Sequence, residues 1–104
     1  MKSVFISFDQ AHYEAVIEIL DKSSCRGFTT LGTVHGRGSR TGEPHYGTHA
    51  WPAENSAIIT VVEDEKVPFL IERLRALDSS KPLLGLRAFV WNIEQSSCFF
   101  TFME

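Results

Sequence analysis

The first third of the chain changes from a two-residue period of apolar residues to a helical one. Alternation at Val4, Ile6 and Phe8 predicts a strand over about residues 2–8. The apolar residues that follow share one face of a helix predicted over about 10–23. They are Tyr13, Val16, Ile17 and Leu20. The pattern therefore predicts a strand followed directly by an amphipathic helix.

Polar residues mark both ends of this helix. Asp9 is predicted to be its N-cap, because its carboxylate can accept hydrogen bonds from the N–H groups of the first turn. Ser23, Ser24 and Gly27 are expected to end the helix. A second strand is predicted from Phe28 through Val34, a run rich in threonine and apolar residues.

The same order recurs after a long polar segment. Residues 57–62 are rich in β-branched side chains and predict a third strand. Asp64 is expected to cap the next helix, and Pro68 fits its first turn, where the missing N–H costs little. The buried stripe of that helix is predicted to be Val67, Leu70, Ile71, Leu74 and Leu77. Residues 86–93 predict a fourth strand, and 98–102 a short fifth strand or a partner contact.

The order of elements predicts one domain over residues 1–104 with an α+β, ferredoxin-like βαββαβ sandwich. Right-handed crossovers would place four antiparallel strands in one sheet and both helices on one face. Phe5, Phe28, Phe89 and Trp91 supply more apolar surface than two helices cover. We therefore expect the open sheet face to pack against other subunits in a closed cyclic oligomer.

Charge and hydropathy exclude several classes of protein. The 104 residues include 10 basic and 13 acidic side chains, a net charge of −3. This balance argues against general nucleic-acid binding, which needs a basic face. No apolar run approaches 18 residues, and Asp9 interrupts the first apolar stretch too early for a signal peptide. A cytoplasmic location is therefore predicted, with Cys25 and Cys98 as free thiols that act as small apolar residues.

The segment from Val34 to Pro52 is the first place to look for function. It holds four of the seven glycines and three of the four histidines. Connections of about 15 residues are uncommon in small domains and usually have a use. We expect the part from Arg37 to Pro52 to be mobile alone and to become ordered on a ligand or partner.

Two kinds of chemistry are open to this segment. Gly36 and Gly38 allow backbone N–H groups to turn toward a phosphate, and Arg37 and Arg40 could add charge-assisted hydrogen bonds. The alternative is a flexible loop root with solvated arginines. A second set of residues could bind zinc, copper or nickel, although no zinc spacing is present. That set is His35, His45 and His49, with Glu43 and Glu54 nearby.

The βαβ–loop–βαβ order, the pattern Val34-x-Gly36-x-Gly38-x-x-x-Gly42 and the Phe89-Val90 strand together resemble the PII signal-transduction proteins and their PII-like relatives. The resemblance covers about residues 1–95. It implies a homotrimer that binds adenine nucleotides between subunits. It also implies a target-contacting T-loop, here over about 37–54, and leaves a C-terminal extension over about 95–104.

Individual residues can be assigned candidate roles. A ligand site is expected on two loops that this topology can bring together at a subunit edge, and its residues are Gly36, Arg37, Gly38, Ser39, Arg40, Lys81 and Arg87. The candidate partner contacts in the loop are Tyr46 and Trp51. Tryptophan is favoured at protein–protein hot spots, although Trp51 is equally well explained as an apolar anchor of the loop base. The chain departs from the family in its second loop, where Lys81 through Arg87 replaces a Gly-Asp-Gly-Lys run. The C-terminal arginine pair of the family is replaced by residues 98–101.

These observations predict a non-enzymatic regulator, since no spacing suggests a catalytic triad or a carboxylate pair. Its expected ligand is an adenine nucleotide or another anion. Its expected partner is a protein, of the membrane-transporter or efflux-pump class in the resembled family. The alternative is a metal-binding sensor or metal-tolerance protein that uses His45 and His49 to hold a divalent ion. A small enzyme on the same scaffold is a third hypothesis with little support.

Overall fold

Residues 1–25, 27–36, 53–81 and 85–97 are described by the computed structural model of the protein. Its strands and helices are β1 (Lys2–Asp9), α1 (Tyr13–Lys22), β2 (Phe28–Gly36), β3 (Ala53–Val62), α2 (Val67–Ser80) and β4 (Arg87–Asn92). A 3₁₀ turn precedes each helix, at Gln10–His12 and at Asp64–Lys66. The four strands form one sheet in the order β2-β3-β1-β4 with antiparallel pairing throughout. The predicted ferredoxin-like fold is confirmed.

The core lies between the two helices and one face of the sheet. On β1, Val4, Ile6 and Phe8 are fully buried, as their alternation predicted. Both helical stripes contribute as well. Val16, Leu20, Leu70 and Leu74 are buried, and the remaining stripe residues are partly buried and pack against them: Tyr13, Ile17, Val67, Ile71 and Leu77. The periodicity of the chain therefore identified this core.

The two predicted helix caps have different outcomes. Asp9 caps the first helical turn, since its Oδ1 accepts a hydrogen bond from the Ala11 N–H at 2.9 Å. The prediction that Asp64 caps the second helix is wrong. Its Oδ1 instead accepts a hydrogen bond from the Met1 amino group at 2.6 Å, and this bond lowers the pKa of the Asp64 carboxyl. Pro68 lies in the first turn of α2, as predicted.

The β2–β3 hairpin is longer than its apolar pattern suggests. β2 continues to Gly36 and β3 begins at Ala53, and these two residues pair across the hairpin. The strands extend because backbone pairing does not require apolar side chains. Two residues of the predicted T-loop range, 53 and 54, thus belong to β3.

A bulge interrupts β2 near its middle. Thr30 pairs with Ile58 and Thr33 with Ser56, so two residues of β2 lie opposite one residue of β3. Gly32 has φ of +75°, a conformation that glycine adopts without a steric penalty. The extra residue returns Thr33 to the helix side of the sheet, where it contacts the start of the first helical turn.

The C-terminus of α1 is closed by a Schellman motif. The Cys25 N–H donates to the Leu20 carbonyl at 2.8 Å, and the Ser24 N–H donates to the Asp21 carbonyl at 3.1 Å. Ser24 has φ of +61°, the left-handed region. Cys25 and Leu20 are both buried, which provides the apolar contact typical of this motif. The prediction that Cys25 is a buried apolar residue is confirmed, whereas Cys98 lies outside the described residues.

Replacing Ser24 by glycine should stabilise the protein by about 0.5–1 kcal/mol, because a non-glycine residue pays a steric cost in the left-handed region. The melting temperature should rise by roughly 2–6 °C, as measured by circular dichroism. Ser79→Gly is the matched control, since Ser79 lies within α2 and glycine lowers helix stability there by about 0.5 kcal/mol. A melting temperature that falls in Ser24→Gly would contradict the motif.

The open face of the sheet carries an apolar row of side chains. Phe5 is paired with Ile59 on one side and with Phe89 on the other, so the three side chains share a row on this face. Phe89 is 58% exposed and Trp91 49% exposed. The prediction that Phe28 also lies here is wrong. Phe28 pairs with the buried Thr60, on the face that the helices cover, and it packs against the core.

Candidate functional site

The hairpin root and the start of β4 lie at the same end of the sheet. β2 ends there at Gly36, β3 begins at Ala53 and β4 begins at Arg87. Antiparallel order requires this, because β1 and β2 run toward that end while β3 and β4 start from it. We call it the loop end of the sheet. α2 also ends near it, since this helix leads into β4 by a short connection.

Three of the predicted ligand-site residues fall within the described ranges. Gly36 is the last residue of β2. Lys81 follows α2 directly and is exposed. Arg87 is the first residue of β4, exposed, and its Nη1 donates to the Leu86 carbonyl at 2.9 Å. The other predicted site residues lie outside the described residues: Arg37, Gly38, Ser39, Arg40, His45, Tyr46, His49 and Trp51.

Gly36 and Arg87 lie on opposite edges of the sheet. Three strand spacings separate β2 from β4, which is about 14 Å. Gly36 pairs with residue 53 and Arg87 lies level with residue 57, an offset of about 13 Å along the strands. The two residues cannot therefore hold one phosphate group within one chain. A ligand that contacts both residues in one chain must therefore be long. Alternatively, one of the two residues comes from a second copy of the chain.

A hydrogen-bond network joins the first helical turn to the hairpin root. The Thr33 Oγ1 donates to the Gln10 Oε1 at 2.9 Å, and the Gln10 Nε2 donates to the Glu54 Oε1 at 3.4 Å. Glu54 pairs with His35 across the hairpin. Gln10 thus contacts both strands that lead into the 37–52 segment. Sequence reasoning missed it, because nothing in the periodicity relates residue 10 to residue 54.

A cleft lies between α2 and β4. Its volume is about 200 Å³, and its lining consists of Ile71, Leu74, Arg75, Asp78, Leu86, Arg87, Ala88 and Phe89. The Asp78 Oδ1 accepts a hydrogen bond from the Leu86 N–H at 3.2 Å, which ties the end of the helix to the approach to β4. Sequence reasoning missed Arg75 and Asp78. Their helical spacing with Ile71 and Leu74 could have placed all four on one face.

The described residues give no metal site. Within 1–25, 27–36, 53–81 and 85–97, no three histidine, cysteine, aspartate or glutamate side chains come together to hold an ion. His35 is exposed on β2. Over the same ranges, neither helix is long and apolar enough to cross a membrane.

Solved structures share this fold. CPII from Thiomonas intermedia K12, bound to ADP and bicarbonate, is 27% identical with a TM-score of 0.69, covering 88% of this chain and 84% of CPII. A CPII structure bound to ADP, AMP and acetate is 25% identical with a TM-score of 0.68, covering 86% and 81%. The apo form of CPII, at 23% identity, has a TM-score of 0.69 and covers 88% and 87%. No curated protein matches the chain.

The family comparison covers nearly all of the chain. The family model described as "Nitrogen regulatory protein P-II" matches residues 1–98. This range includes all four strands, both helices and the loop end of the sheet. The resemblance stated from the order of elements and the glycine pattern is confirmed. The chain is a divergent, PII-like member of the P-II family of signalling proteins.

Proposed function

We propose that this protein is a homotrimeric regulator that binds an adenine nucleotide between subunits and acts on a partner protein through its 37–52 segment. The observation that carries the proposal is the likeness to CPII, which is solved with ADP and AMP and aligns over 86% of this chain. The P-II family match over residues 1–98 supports a regulatory role. We expect ADP incubated with the protein to be recovered unchanged.

The open sheet face supports a trimer. Phe5, Ile59 and Phe89 form an apolar row on that face, and Trp91 adds a further half-exposed ring. Contiguous apolar surface of this kind is typical of subunit interfaces. Closed cyclic symmetry would cover the face in every copy and leave no unpaired patch. Homotrimers are also the assembly expected of this family.

The positions of Gly36 and Arg87 support a site between subunits. They lie on opposite edges of one sheet, so a neighbouring copy is the natural source of the second edge. Lys81 and Arg87 would contact phosphate groups from the α2–β4 side, where the family's Gly-Asp-Gly-Lys run is replaced. The backbone N–H groups around Gly36 and Gly38, together with Arg40, would contact the phosphate groups from the hairpin root.

Nucleotide binding can be tested by titration calorimetry with ADP, AMP and ATP. Arg87→Ala should weaken ADP binding by roughly 10- to 100-fold, because a charge-assisted hydrogen bond to phosphate contributes about 1.5–3 kcal/mol. Lys22→Ala is the control, since Lys22 is an exposed cation on α1 that pairs with Glu18. It should bind ADP as the wild type does. An absence of heat with all three nucleotides would refute the nucleotide part of the proposal.

We propose that the partner is a membrane transporter or efflux pump, by analogy with the family. Tyr46 and Trp51 are the proposed contacts. The metal alternative has its own test: the double variant His45→Ala/His49→Ala should melt like the wild type when zinc is added, unless these histidines hold the ion. A zinc-dependent rise in melting temperature that the variant loses would favour metal sensing.

A further inference from the structure

We propose that the cleft between α2 and β4 binds a compact organic anion, an apolar body that carries one carboxylate or phosphate. We call it the α2–β4 cleft, with the lining residues given above. Its volume of about 200 Å³ is below the 300–1,000 Å³ of pockets for drug-sized ligands. The occupant is therefore about the size of one aromatic ring with an acid group.

The floor of the cleft is apolar. Leu74 and Leu86 are buried, and Ile71 and Ala88 are partly buried beside them. Phe89 lines the cleft from β4, while its ring belongs to the row with Phe5 on the opposite, open face of the sheet. An apolar body placed on this floor would be removed from water, which is favourable at about 25 cal/mol for each Å² buried.

The charges at the rim select an anion. Arg75 and Arg87 are the two cations of the lining, and Asp78 is its one carboxylate. Asp78 accepts a hydrogen bond from the Leu86 N–H and keeps its negative charge, so the lining carries two positive charges against one negative charge. The planar guanidinium suits a carboxylate or phosphate because it can donate two parallel hydrogen bonds.

Arg75 differs in its contacts from the arginine that precedes it on the same helix. The Nη1 of Arg73 donates to the Ser23 Oγ at 3.1 Å and lies 3.4 Å from the Lys22 carbonyl oxygen. Arg73 is therefore occupied by contacts with the end of α1. No hydrogen bond or ion pair is found for Arg75 within the described part of the chain. Arg75 is thus the cation best placed to receive a ligand.

The backbone keeps the cleft in shape. The hydrogen bond between Asp78 and Leu86 fixes the approach to β4 against the last turns of α2. Gly85, with φ of +62°, makes the turn into that approach. A preformed site binds its ligand with less loss of conformational entropy than a site that must be ordered.

This inference goes beyond the proposed nucleotide site. A whole nucleotide is too large for a space of about 200 Å³, and the two sites share only Arg87 among the described residues. They can therefore succeed or fail separately.

The test uses the full chain with benzoate and phenyl phosphate as probes and inorganic phosphate as the comparison without an apolar body. Binding is followed by NMR chemical shifts. The two aromatic probes should shift the signals of Arg75 and Ala88, and at least one should bind about tenfold more tightly than inorganic phosphate. Tighter binding of benzoate would show that the cleft prefers a carboxylate, and tighter binding of phenyl phosphate would show that it prefers a phosphate. Equal affinity for inorganic phosphate and both aromatic anions would overturn the proposal.

Two variants separate the contributions. Arg75→Ala should weaken the better probe by roughly 10- to 100-fold, and Arg75→Lys should restore part of the affinity. Ala88→Leu fills the floor and should abolish binding, with circular dichroism to check folding. Lys22→Ala is the charge control and should bind the probe normally. Unchanged probe affinity in Arg75→Ala, an exposed position that folding does not need, would refute the site.

ADP titrations of the same proteins keep the two proposals apart. If ADP binds to the wild type and to Arg75→Ala equally while neither aromatic probe binds, the cleft proposal fails and the nucleotide proposal stands. If a probe binds in an Arg75-dependent manner and ADP does not bind, the cleft proposal stands and the nucleotide proposal fails.

Discussion

Replacing Phe89 by aspartate should leave the protein monomeric. Phe89 is 58% exposed in the single chain and lies beside Phe5 on the open face of the sheet. If that face is covered in a trimer, each ring gains about 1.5–3 kcal/mol from burial. A carboxylate in its place loses that gain and must also be taken out of water, which costs several kcal/mol more. A closed trimer contains three copies of the substitution, so this loss of free energy occurs at three positions in each assembly.

Phe69→Asp is the matched control. Phe69 is 59% exposed, almost the same as Phe89, but it lies on α2 rather than on the sheet. The same substitution there adds the same charge and removes the same ring without touching the open face. Sedimentation or light scattering should give a trimer for the wild type and Phe69→Asp, and a folded monomer for Phe89→Asp. A trimeric Phe89→Asp would show that the interface lies elsewhere.

Local periodicity predicted the core, because it is a property of neighbouring residues. Val4, Ile6 and Phe8 share a strand face whatever the rest of the chain does. The face of Phe28 could not be predicted in this way. Its alternation with Thr29 is clear, but only the pairing with Thr60 decides which side of the sheet it faces. Register depends on contacts between distant residues.

Asp64 shows the same limit at a helix end. Its position before Pro68 favours a cap, yet its carboxylate is held by the Met1 amino group, 63 residues away in sequence. No local pattern contains that contact. Asp9 behaved as predicted because its hydrogen-bond partner, the Ala11 N–H, is only two residues away.

The positions of some candidate site residues in the fold could be predicted where the chain itself carries the signal. Lys81 and Arg87 were identified as parts of one connection, and Arg87 does lie at the loop end of the sheet. Arg75 was not identified, although its helical spacing places it beside Ile71 and Asp78. The sequence shows which residues share a face, but the strand that faces them follows from the order of the sheet.

Phe8→Ala should be the most destabilising single truncation. Among the described residues, Phe8 is the largest fully buried side chain, and its ring centroid lies 6.2 Å from that of Tyr13. Truncating a buried phenylalanine removes its transfer free energy and leaves a cavity, at a cost of about 3–5 kcal/mol. A domain of this size has a free energy of unfolding of only about 5–15 kcal/mol. We therefore expect a large fall in the urea midpoint, followed by circular dichroism.

Phe69→Ala gives the comparison, since the Phe69 ring is mostly exposed and its loss should change the free energy of unfolding by no more than about 0.5 kcal/mol. All three proteins must be unfolded at one concentration, because assembly stabilises the folded state by mass action. Repeating the comparison in the Phe89→Asp background removes that contribution. If the core lies between the helices and β1, the difference between Phe8→Ala and Phe69→Ala persists in the monomer. A difference that vanishes there would mean that Phe8 stabilises the assembly and not the fold of the chain.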